Sequence, residues 1–277
     1  MIDRLALCNE VLAPWGFAEQ CTHAAKLGYR ALEVAPYTLA ADPSTITDRQ
    51  AAQWRAIAAD HGLCISGLHW LLVAPQGLSI SHPDAAVRQR TDGVIARLVD
   101  LCAQLGGQYL VHGSPAQRNP HPGQSAADAL ALATEAWQRA GERAGALDLH
   151  YCIEPLSRVQ TPVLNTVDEA LAIVQAAGLP GLRTMLDTSS AGETEAEPLP
   201  DLIDRLWPGG GLVHVQLNDR NRRAPGQGQD RFRPVLQALQ RQGYAGWLAM
   251  EPFDYVPDGP AAAAWSIAYV RGLLEAD

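Results

Sequence analysis

Eight short apolar runs, each followed by a longer amphipathic stretch, alternate along the whole chain. This alternation predicts strands that alternate with helices, and eight such units in 277 residues suit a (β/α)8 TIM barrel. A doubly wound sheet is the main alternative, but the segment CNEVLAPWGF after the first run lacks the G-x-G-x-x-G pattern typical of that fold. We therefore predict a single barrel domain over residues 1–277. The predicted strands are 4–9, 31–36, 64–70, 108–113, 149–155, 182–188, 211–219 and 246–252.

The charge pattern and the cysteines exclude several classes of protein. The net charge is −9 and Lys26 is the only lysine, so no basic run is present to neutralise a nucleic-acid backbone. The five cysteines lie far apart, which argues against a disulfide framework. No apolar run reaches the ~18 residues of a membrane span, and the N terminus does not resemble a signal peptide. We expect a cytoplasmic protein with reduced thiols and with neither a nucleic-acid nor a membrane partner.

Polar side chains recur near the C-terminal ends of the predicted strands. In a (β/α)8 barrel these ends converge on one mouth, where the chemistry takes place. Residues that are distant in sequence should therefore meet there. The loop 113–128, rich in proline, glycine and polar residues, is expected to cover this mouth. The strand residues in question are Glu33, His69, Trp70, His112, Glu154, Asp187, His214, Gln216 and Glu251.

Four of these residues follow one another at the interval of one strand–helix unit. Glu154, Asp187, Gln216 and Glu251 are separated by 33, 29 and 35 residues. Three carboxylates at one mouth repel one another, so at least one stays protonated unless a cation joins them. An all-oxygen set of three carboxylates and one amide suits Mn²⁺ or Mg²⁺ better than zinc. The alternative is that all four are ordinary polar residues bonded to loop backbone.

The seventh predicted strand, GLVHVQLND, carries three hydrogen-bonding side chains on one face. Side chains alternate along a strand, so His214, Gln216 and Asn218 share a face opposite to that of the apolar residues between them. These three either hold one another or hold something else.

At this point the whole chain resembles the xylose isomerase-like TIM barrels, a superfamily of sugar isomerases and epimerases that includes ketose 3-epimerases and hydroxypyruvate isomerase. EPLSRVQTPVLNT (154–166) is similar to the epimerases' Glu-x-x-Asn-Arg stretch, and MLDTSS (185–190) is similar to their Leu-Asp-Thr strand end. HVQLNDRNRRAPGQGQDRF (214–232) looks like the hydroxypyruvate isomerase form of strand seven, in which a Gln replaces a metal-binding His. WLAMEPF (247–253) matches the segment with the final metal-binding Glu.

The resemblance implies that Glu154, Asp187, Gln216 and Glu251 hold a divalent metal, Mn²⁺ or Mg²⁺. It implies a metal-dependent isomerase or epimerase of a small ketose or related hydroxy-carbonyl compound. In that chemistry Glu154 and Glu251 serve as acid and base around an enediolate that the metal stabilises. Return of the proton to the same carbon gives epimerisation, and return to the neighbouring carbon gives isomerisation. His214, deeper on the strand, is expected to make a structural hydrogen bond.

Two departures from the family pattern concern the substrate. Ser190 stands where many epimerases have a His, and Gln160 stands where many have a Glu; both positions contact substrate in the family. Arg222 falls where epimerases place a substrate-binding Arg. Its neighbours Arg220 and Arg223 could take its place, and the cluster could instead bind a phosphate or carboxylate.

Several further residues are candidates for substrate binding. Trp15 and Trp70 follow strands one and three, where aromatic side chains suit the apolar face of a sugar, although core or lid packing is the alternative. His69 and His112 are candidates for contacts with hydroxyl groups. A structural role for each histidine is the alternative.

Glu33 and Arg158 complete the candidates. Glu33 is predicted to bind substrate hydroxyls, with an ion pair to a residue such as Arg30 as the alternative. Arg158 belongs to the Glu-x-x-Asn-Arg-like stretch and is expected to contact the substrate.

Two competing functions and the oligomeric state remain open at this level. A lyase that dehydrates a keto-sugar or keto-cyclitol would use the same metal site and then expel a hydroxyl group. A non-catalytic sugar-binding barrel is the alternative of another class, although it has no need of two acid–base carboxylates. The resemblance also allows a homo-oligomer, but no segment marks an interface.

Overall fold

The computed structural model describes residues 1–276, and its strands close into one barrel in chain order. Every neighbouring pair is parallel, including the closure between the first and last strands, so the predicted (β/α)8 TIM barrel is confirmed. The strands are β1 (Leu5–Cys8), β2 (Ala31–Val34), β3 (Cys64–Leu68), β4 (Tyr109–His112), β5 (His150–Ile153), β6 (Leu182–Asp187), β7 (Leu212–Leu217) and β8 (Leu248–Met250).

Helices connect the strands and pack around the barrel. Short 3₁₀ segments lie at Asn9–Leu12, Pro36–Thr38, Pro43–Thr45 and Trp207–Gly209. The α-helices are α1 (Phe17–Leu27), α2 (Asp48–Asp60), α3 (Ala85–Leu105), α4 (Pro115–Arg118), α5 (Ala126–Ala146), α6 (Val167–Ala177), α7 (Thr188–Thr194), α8 (Leu199–Leu206), α9 (Phe232–Arg241) and α10 (Gly259–Glu275).

Local sequence determines where the long helices begin and end. Thr47, Ser125 and Thr166 each form a capping box, in which the hydroxyl accepts from a backbone N–H that the helix leaves free. Gly28 and Gly106 end α1 and α3 in the left-handed conformation, which costs glycine little. These signals fix the lengths of the connections and so the positions of the strand ends.

The strand register brings the predicted site residues to one level. Asp187 on β6 lies opposite Gln216 on β7, and Gln216 lies opposite Ala249 on β8, two residues before Glu251. The carboxylate and the amide are therefore neighbours because the strands are parallel and in this register. A one-residue slip would turn one of the two side chains to the other face of the sheet.

The loop at 113–128 contains a short helix rather than only irregular backbone. Pro115 begins α4 directly after Ser114, and α5 starts at Ala126. Gly113, Ser114 and Pro115 line the cavity at the C-terminal mouth, which agrees with the expected position of this loop. Among residues 1–276, no helix combines the length and apolarity that crossing a bilayer requires.

Helix α5 packs against the residue that precedes β6, and glycines form the contact on both sides. A Cβ atom on Gly181 would lie closer than 3.0 Å to backbone atoms of Gly141 and Gly145. Gly181→Ala is therefore expected to lower the free energy of unfolding by about 1–3 kcal/mol, because helix and strand must separate. The same substitution at Gly93 in α3 meets no atom within 4 Å. Gly93→Ala should raise the free energy of unfolding by about 0.5–1 kcal/mol through helix propensity. Urea denaturation of both variants checks this, and equal stabilities would contradict the packing argument.

Candidate active site and metal centre

A cavity opens at the C-terminal mouth of the barrel, where the sequence predicts the site. Its wall also includes Pro115, Leu156 and Phe253, so one side of it is apolar. The predicted site residues that line it are His69, Trp70, Glu154, Gln160, Arg222 and Glu251.

Three carboxylates from successive parts of the barrel meet at the base of this cavity. Glu154, Asp187 and Glu251 each offer an oxygen, and these oxygens lie within 4.8 Å of one another. All three side chains are buried. Burial, followed by repulsion from Glu251 and Asp187, holds the pKa of Glu154 well above its usual range. Burial also raises the pKa of Asp187, and it raises that of Glu251 to about 8. The arrangement without a cation is therefore electrostatically unfavourable.

The cluster also contains oxygens that no protein group satisfies. Asp187 Oδ2, Gln216 Oε1 and Glu251 Oε2 are buried without a hydrogen-bond partner among residues 1–276. Buried polar atoms normally have partners, so these three unpartnered oxygens require an explanation. A divalent cation that prefers oxygen ligands would satisfy all three at once. The donor set thus fits Mn²⁺ or Mg²⁺.

The side-chain amide of Gln216 is oriented from beneath by Glu33. Gln216 Nε2 donates to Glu33 Oε1 over 2.6 Å, which leaves the amide oxygen for the cluster. Glu33 Oε2 accepts from the Tyr109 hydroxyl over 2.5 Å and lies 2.9 Å from His214 Nε2. His214 therefore faces Glu33 at ion-pair distance inside the barrel, and the structural hydrogen bond expected for it stays a prediction. Asn218 holds backbone instead, because its amide donates to the carbonyl of Glu251. The polar face of β7 is therefore used in three different ways.

The position of Glu33 differs from the sequence-based expectation. Its side chain has no exposed surface and lies in the barrel interior, away from the cavity wall. Burial opposes ionisation, but the facing histidines His214 and His69 and the Tyr109 hydroxyl lower the pKa of Glu33 to about 2. It contacts neither Arg30 nor open space. The physical reason is depth, since Glu33 precedes the end of β2 and is enclosed by neighbouring strands.

His69 connects two carboxylates rather than presenting a free ring nitrogen. Its Nδ1 lies 2.9 Å from Glu251 Oε1, and its Nε2 lies 2.9 Å from Glu10 Oε2. Burial would lower the pKa of His69, but Glu10, Glu251 and Glu33 raise it well above its usual value. His69 thus orients Glu251. Glu10 was not predicted from the sequence, although its place shortly after β1 was a signal, because its partner His69 comes from a different strand end.

A second group of potential ligands lies next to the first. Cys8, Glu10, His69 and Glu251 also have ligand atoms within 4.8 Å of one another. Glu10 Oε1 in this group is also unpartnered, but both ring nitrogens of His69 are already occupied by carboxylates and are not free to bind a cation. The all-oxygen donor set and the occupied nitrogens of His69 favour the Asp187 cluster as the cation site.

Ser190 connects the carboxylate cluster to Gln160. Its backbone N–H donates to Asp187 Oδ1 over 2.7 Å, and its hydroxyl donates to Gln160 Oε1 over 3.1 Å. Ser190 does not itself line the cavity, whereas Gln160 does. The serine therefore acts on the cavity by orienting two other side chains.

The rim of the cavity is aromatic and basic. The Arg222 guanidinium lies 4.8 Å from the centre of the Phe253 ring, and Trp70 meets the same ring edge-on at 6.0 Å. The neighbouring arginines face elsewhere, since Arg220 pairs with Asp230 and Arg223 pairs with Asp254. Of the three arginines, Arg222 is the one that lines the cavity.

Three further candidates lie away from this cavity wall. Trp15 is half-buried and packs edge-on against His23. His112 is fully buried, with Nδ1 2.6 Å from the Tyr151 hydroxyl. The Arg158 side chain is 68% exposed and donates to Asn165 rather than pointing inwards. These positions differ from the predicted substrate contacts because a strand end or a motif fixes the backbone but not the direction of the side chain.

Two residues of the 113–128 loop support Glu154 and were not singled out from the sequence. Gly113 lies so close to the Glu154 carboxylate that any Cβ atom would collide with it. Arg118 is fully buried and donates to the backbone carbonyl of Glu154 over 2.8 Å. A loop glycine and a lone arginine give no sequence signal of this kind, because their contacts depend on the loop's path.

The fold and the cavity define a parallel (β/α)8 barrel with an oxygen-rich acidic cluster at its C-terminal mouth. The family model described as "Xylose isomerase-like TIM barrel" matches residues 21–273, and the chain belongs to this family.

The chain is also similar to individual proteins that are named as epimerases. The chain is 31% identical over 238 residues to a D-psicose 3-epimerase of Agrobacterium fabrum, covering 83% of this chain and 76% of that protein. It is 29% identical over 204 residues to a ketose 3-epimerase of Arthrobacter globiformis, covering 72% and 67%. A crystal structure of a D-psicose 3-epimerase in the presence of D-fructose superposes with a TM-score of 0.83 at 24% identity, over 98% of this chain and 99% of that one. At this sequence identity, the structural similarity shows that the two proteins share a fold.

Metal content distinguishes the two ligand groups. Protein purified without chelator is expected to carry about one divalent ion per chain, and Asp187→Asn should weaken Mn²⁺ binding by more than about tenfold, because a ligand is lost. Glu10→Gln is the matched control, since it alters only the group around Cys8 and keeps an acceptor for His69. Elemental analysis and calorimetric titration with Mn²⁺ measure both. Loss of metal from Glu10→Gln with retention in Asp187→Asn would reverse the assignment.

Proposed function

We propose that this protein is a divalent-metal-dependent ketose epimerase that inverts the hydroxyl-bearing carbon next to the ketone. The observation that carries the proposal is the pair Glu154 and Glu251, which line one cavity just after β5 and β8 and share a carboxylate cluster with Asp187, whose Oδ2 has no partner among residues 1–276. The relatives named as D-psicose 3-epimerase and ketose 3-epimerase support the same chemistry.

The two glutamates perform the proton transfers. One carboxylate takes the proton from the carbon that bears the hydroxyl, and the electron pair of that C–H bond moves towards the adjacent carbonyl. The other carboxylic acid returns a proton to the opposite face of the same carbon, which inverts its configuration. Because the glutamates come from different strands, they can stand on opposite sides of a substrate.

Glu154, Asp187, Gln216 and Glu251 would hold the cation, Mn²⁺ or Mg²⁺. When bound, it supplies Lewis-acid stabilisation of the negative charge that develops on the substrate oxygens. Glu33 keeps the amide oxygen of Gln216 turned towards the cluster. His69 keeps Glu251 in place through a hydrogen bond that is itself anchored by Glu10.

The remaining cavity residues position the substrate. Trp70 and Phe253 provide a flat apolar surface that suits the C–H face of a sugar. Gln160 and Arg222 provide hydrogen-bond donors on the polar side. Ser190 keeps Gln160 in position, and loop residues 113–115 close the wall next to Glu154.

Proton exchange tests this function directly. With Mn²⁺ and D-fructose in D2O, deuterium is expected at C3 together with formation of the C3 epimer. Glu154→Gln and Glu251→Gln should each lower the exchange rate by about 10²- to 10⁴-fold, because a proton-transfer group is lost. The exposed Glu142 on α5 provides the matched control, since Glu142→Gln changes a carboxylate outside the site. Mass spectrometry and NMR measure label and product.

Metal removal completes the test. Dialysis against EDTA should abolish exchange, and added Mn²⁺ should restore it. Exchange that survives complete metal removal, or that is unchanged in both glutamate variants, is incompatible with the proposal. Formation of an aldose would instead identify an isomerase, and release of water from the labelled ketose would identify a lyase.

A further inference from the structure

We propose that the N-terminal end of the barrel holds a second ligand site, and that its ligand is a small oxyanion, a phosphate or a carboxylate. The site lies at the end of the barrel opposite to the carboxylate cluster, so this inference does not depend on the proposed function. It follows from a second cavity, whose wall combines an arginine with buried nitrogen atoms that have no partner.

The second cavity opens where the strands begin. The residues that line it stand at or close to the first residues of five strands: Arg4 before β1, Gln108 before β4, His150 at the start of β5, Val213 near the start of β7 and Trp247 before β8. These strands lie on different sides of the closed barrel, so the cavity lies near the barrel axis. Its volume is about 180 Å³. At about 30 Å³ per molecule this equals roughly six waters, so a phosphate ion or a small carboxylate fits.

Three residues of this wall each carry a buried nitrogen atom without a hydrogen-bond partner among residues 1–276. The atoms are Trp247 Nε1, His150 Nδ1 and His214 Nδ1. The indole N–H can only donate, and a ring nitrogen of histidine can donate as well. Trp247 is 8% exposed and His214 is 1% exposed. Because buried polar atoms normally have partners, these nitrogens call for an acceptor inside the cavity.

Arg4 gives the wall a positive charge. Its guanidinium carbon lies 5.5 Å from the centre of the Trp247 ring. Within residues 1–276, no carboxylate oxygen lies within 4.0 Å of the Arg4 guanidinium, and neither an aspartate nor a glutamate lines the cavity. Burial and then the nearby Arg183 lower the pKa of His150, and Asp148 opposes them with a smaller effect. The charge around the wall is therefore positive on balance.

Two stacked rings separate the cavity from the buried carboxylate of Glu33. The rings of Tyr109 and His214 have their centres 3.9 Å apart, and both residues line the cavity. Both also contact Glu33, which does not line it. An anion next to Arg4 would thus not meet the Glu33 carboxylate directly.

A wall of this composition favours an oxyanion over water or a cation. An oxyanion accepts from the indole N–H, the guanidinium and an imidazole, and it compensates the arginine charge. Water would accept from the same groups but would leave the charge without a counter-ion. A cation would meet donors and a like charge. Residues at this end of a (β/α)8 barrel ordinarily contribute to stability, which does not require an arginine without an ion-pair partner.

The indole N–H signals in an NMR spectrum test the site directly. Inorganic phosphate and acetate are titrated separately into Mg²⁺-loaded protein, because Mn²⁺ would broaden the signals. One of the two anions should shift the Trp247 signal saturably, with a Kd of about 0.1–10 mM, and the anion with the lower Kd identifies the chemistry of the ligand. Trp247→Phe identifies the signal, since it removes the indole N–H and keeps an aromatic ring. Trp70 at the C-terminal mouth is the internal control and should not follow the same binding curve.

Two matched variants assign the charge. Arg4→Gln should raise the Kd measured at Trp247 by about tenfold or more, because the counter-charge is lost. Arg4 is exposed, so its replacement leaves the core intact. Arg222→Gln makes the same substitution at the other mouth and should leave this Kd unchanged.

Three outcomes would overturn the inference. The first is a Trp247 signal that neither anion shifts saturably. The second is a Kd that Arg4→Gln leaves unchanged. The third is binding that is seen only through Trp70 or that Arg222→Gln weakens equally, since this would place the anion at the C-terminal mouth. None of these results bears on proton exchange, so the proposed epimerase activity is tested separately.

Discussion

Mutual repulsion among the buried carboxylates of Glu154, Asp187 and Glu251 is the constraint around which the barrel mouth is arranged. Three such groups within a few ångströms of one another cannot all ionise without compensation. Residues with positive charge or hydrogen-bond donors surround them: His69 faces Glu251, the Ser190 N–H faces Asp187, and buried Arg118 lies beside Glu154. These donors do not satisfy every oxygen of the cluster. The oxygens that stay unpartnered are the kind of ligand that a divalent cation requires.

A second layer of polar residues beneath the cluster makes this arrangement rigid. Glu33 is enclosed by the barrel and contacts Tyr109, Gln216 and His214. An ionised carboxylate at this depth is unfavourable unless every oxygen has a partner, and here both oxygens do. The layer therefore fixes the tilt of the Gln216 amide. In this way a buried charge outside the cavity wall determines the direction of an atom that would contact the metal.

The sequence was sufficient for the barrel and for the positions of the cluster residues, because strand–helix alternation and the spacing from Glu154 to Glu251 are properties of the chain itself. It was insufficient to predict how deeply each side chain is buried in the barrel. Glu33 and His112 lie on strands as predicted, yet both side chains are enclosed. Side-chain direction depends on register and on neighbours, including the irregular pairing of β2 with β3 next to Glu33. Glu10 and Arg118 could not be predicted as site residues, because their partners His69 and Glu154 come from distant segments of the chain.

Gln160 shows most clearly what only the structure contributes. In the sequence it is an amide that can donate or accept, and its neighbour Ser190 carries equally little information about polarity. The backbone N–H of Ser157 removes this ambiguity, since it forces the amide oxygen inwards and the NH2 group towards the cavity. The polarity of this part of the cavity wall is therefore set by the contacts of the amide oxygen and not by the residue type.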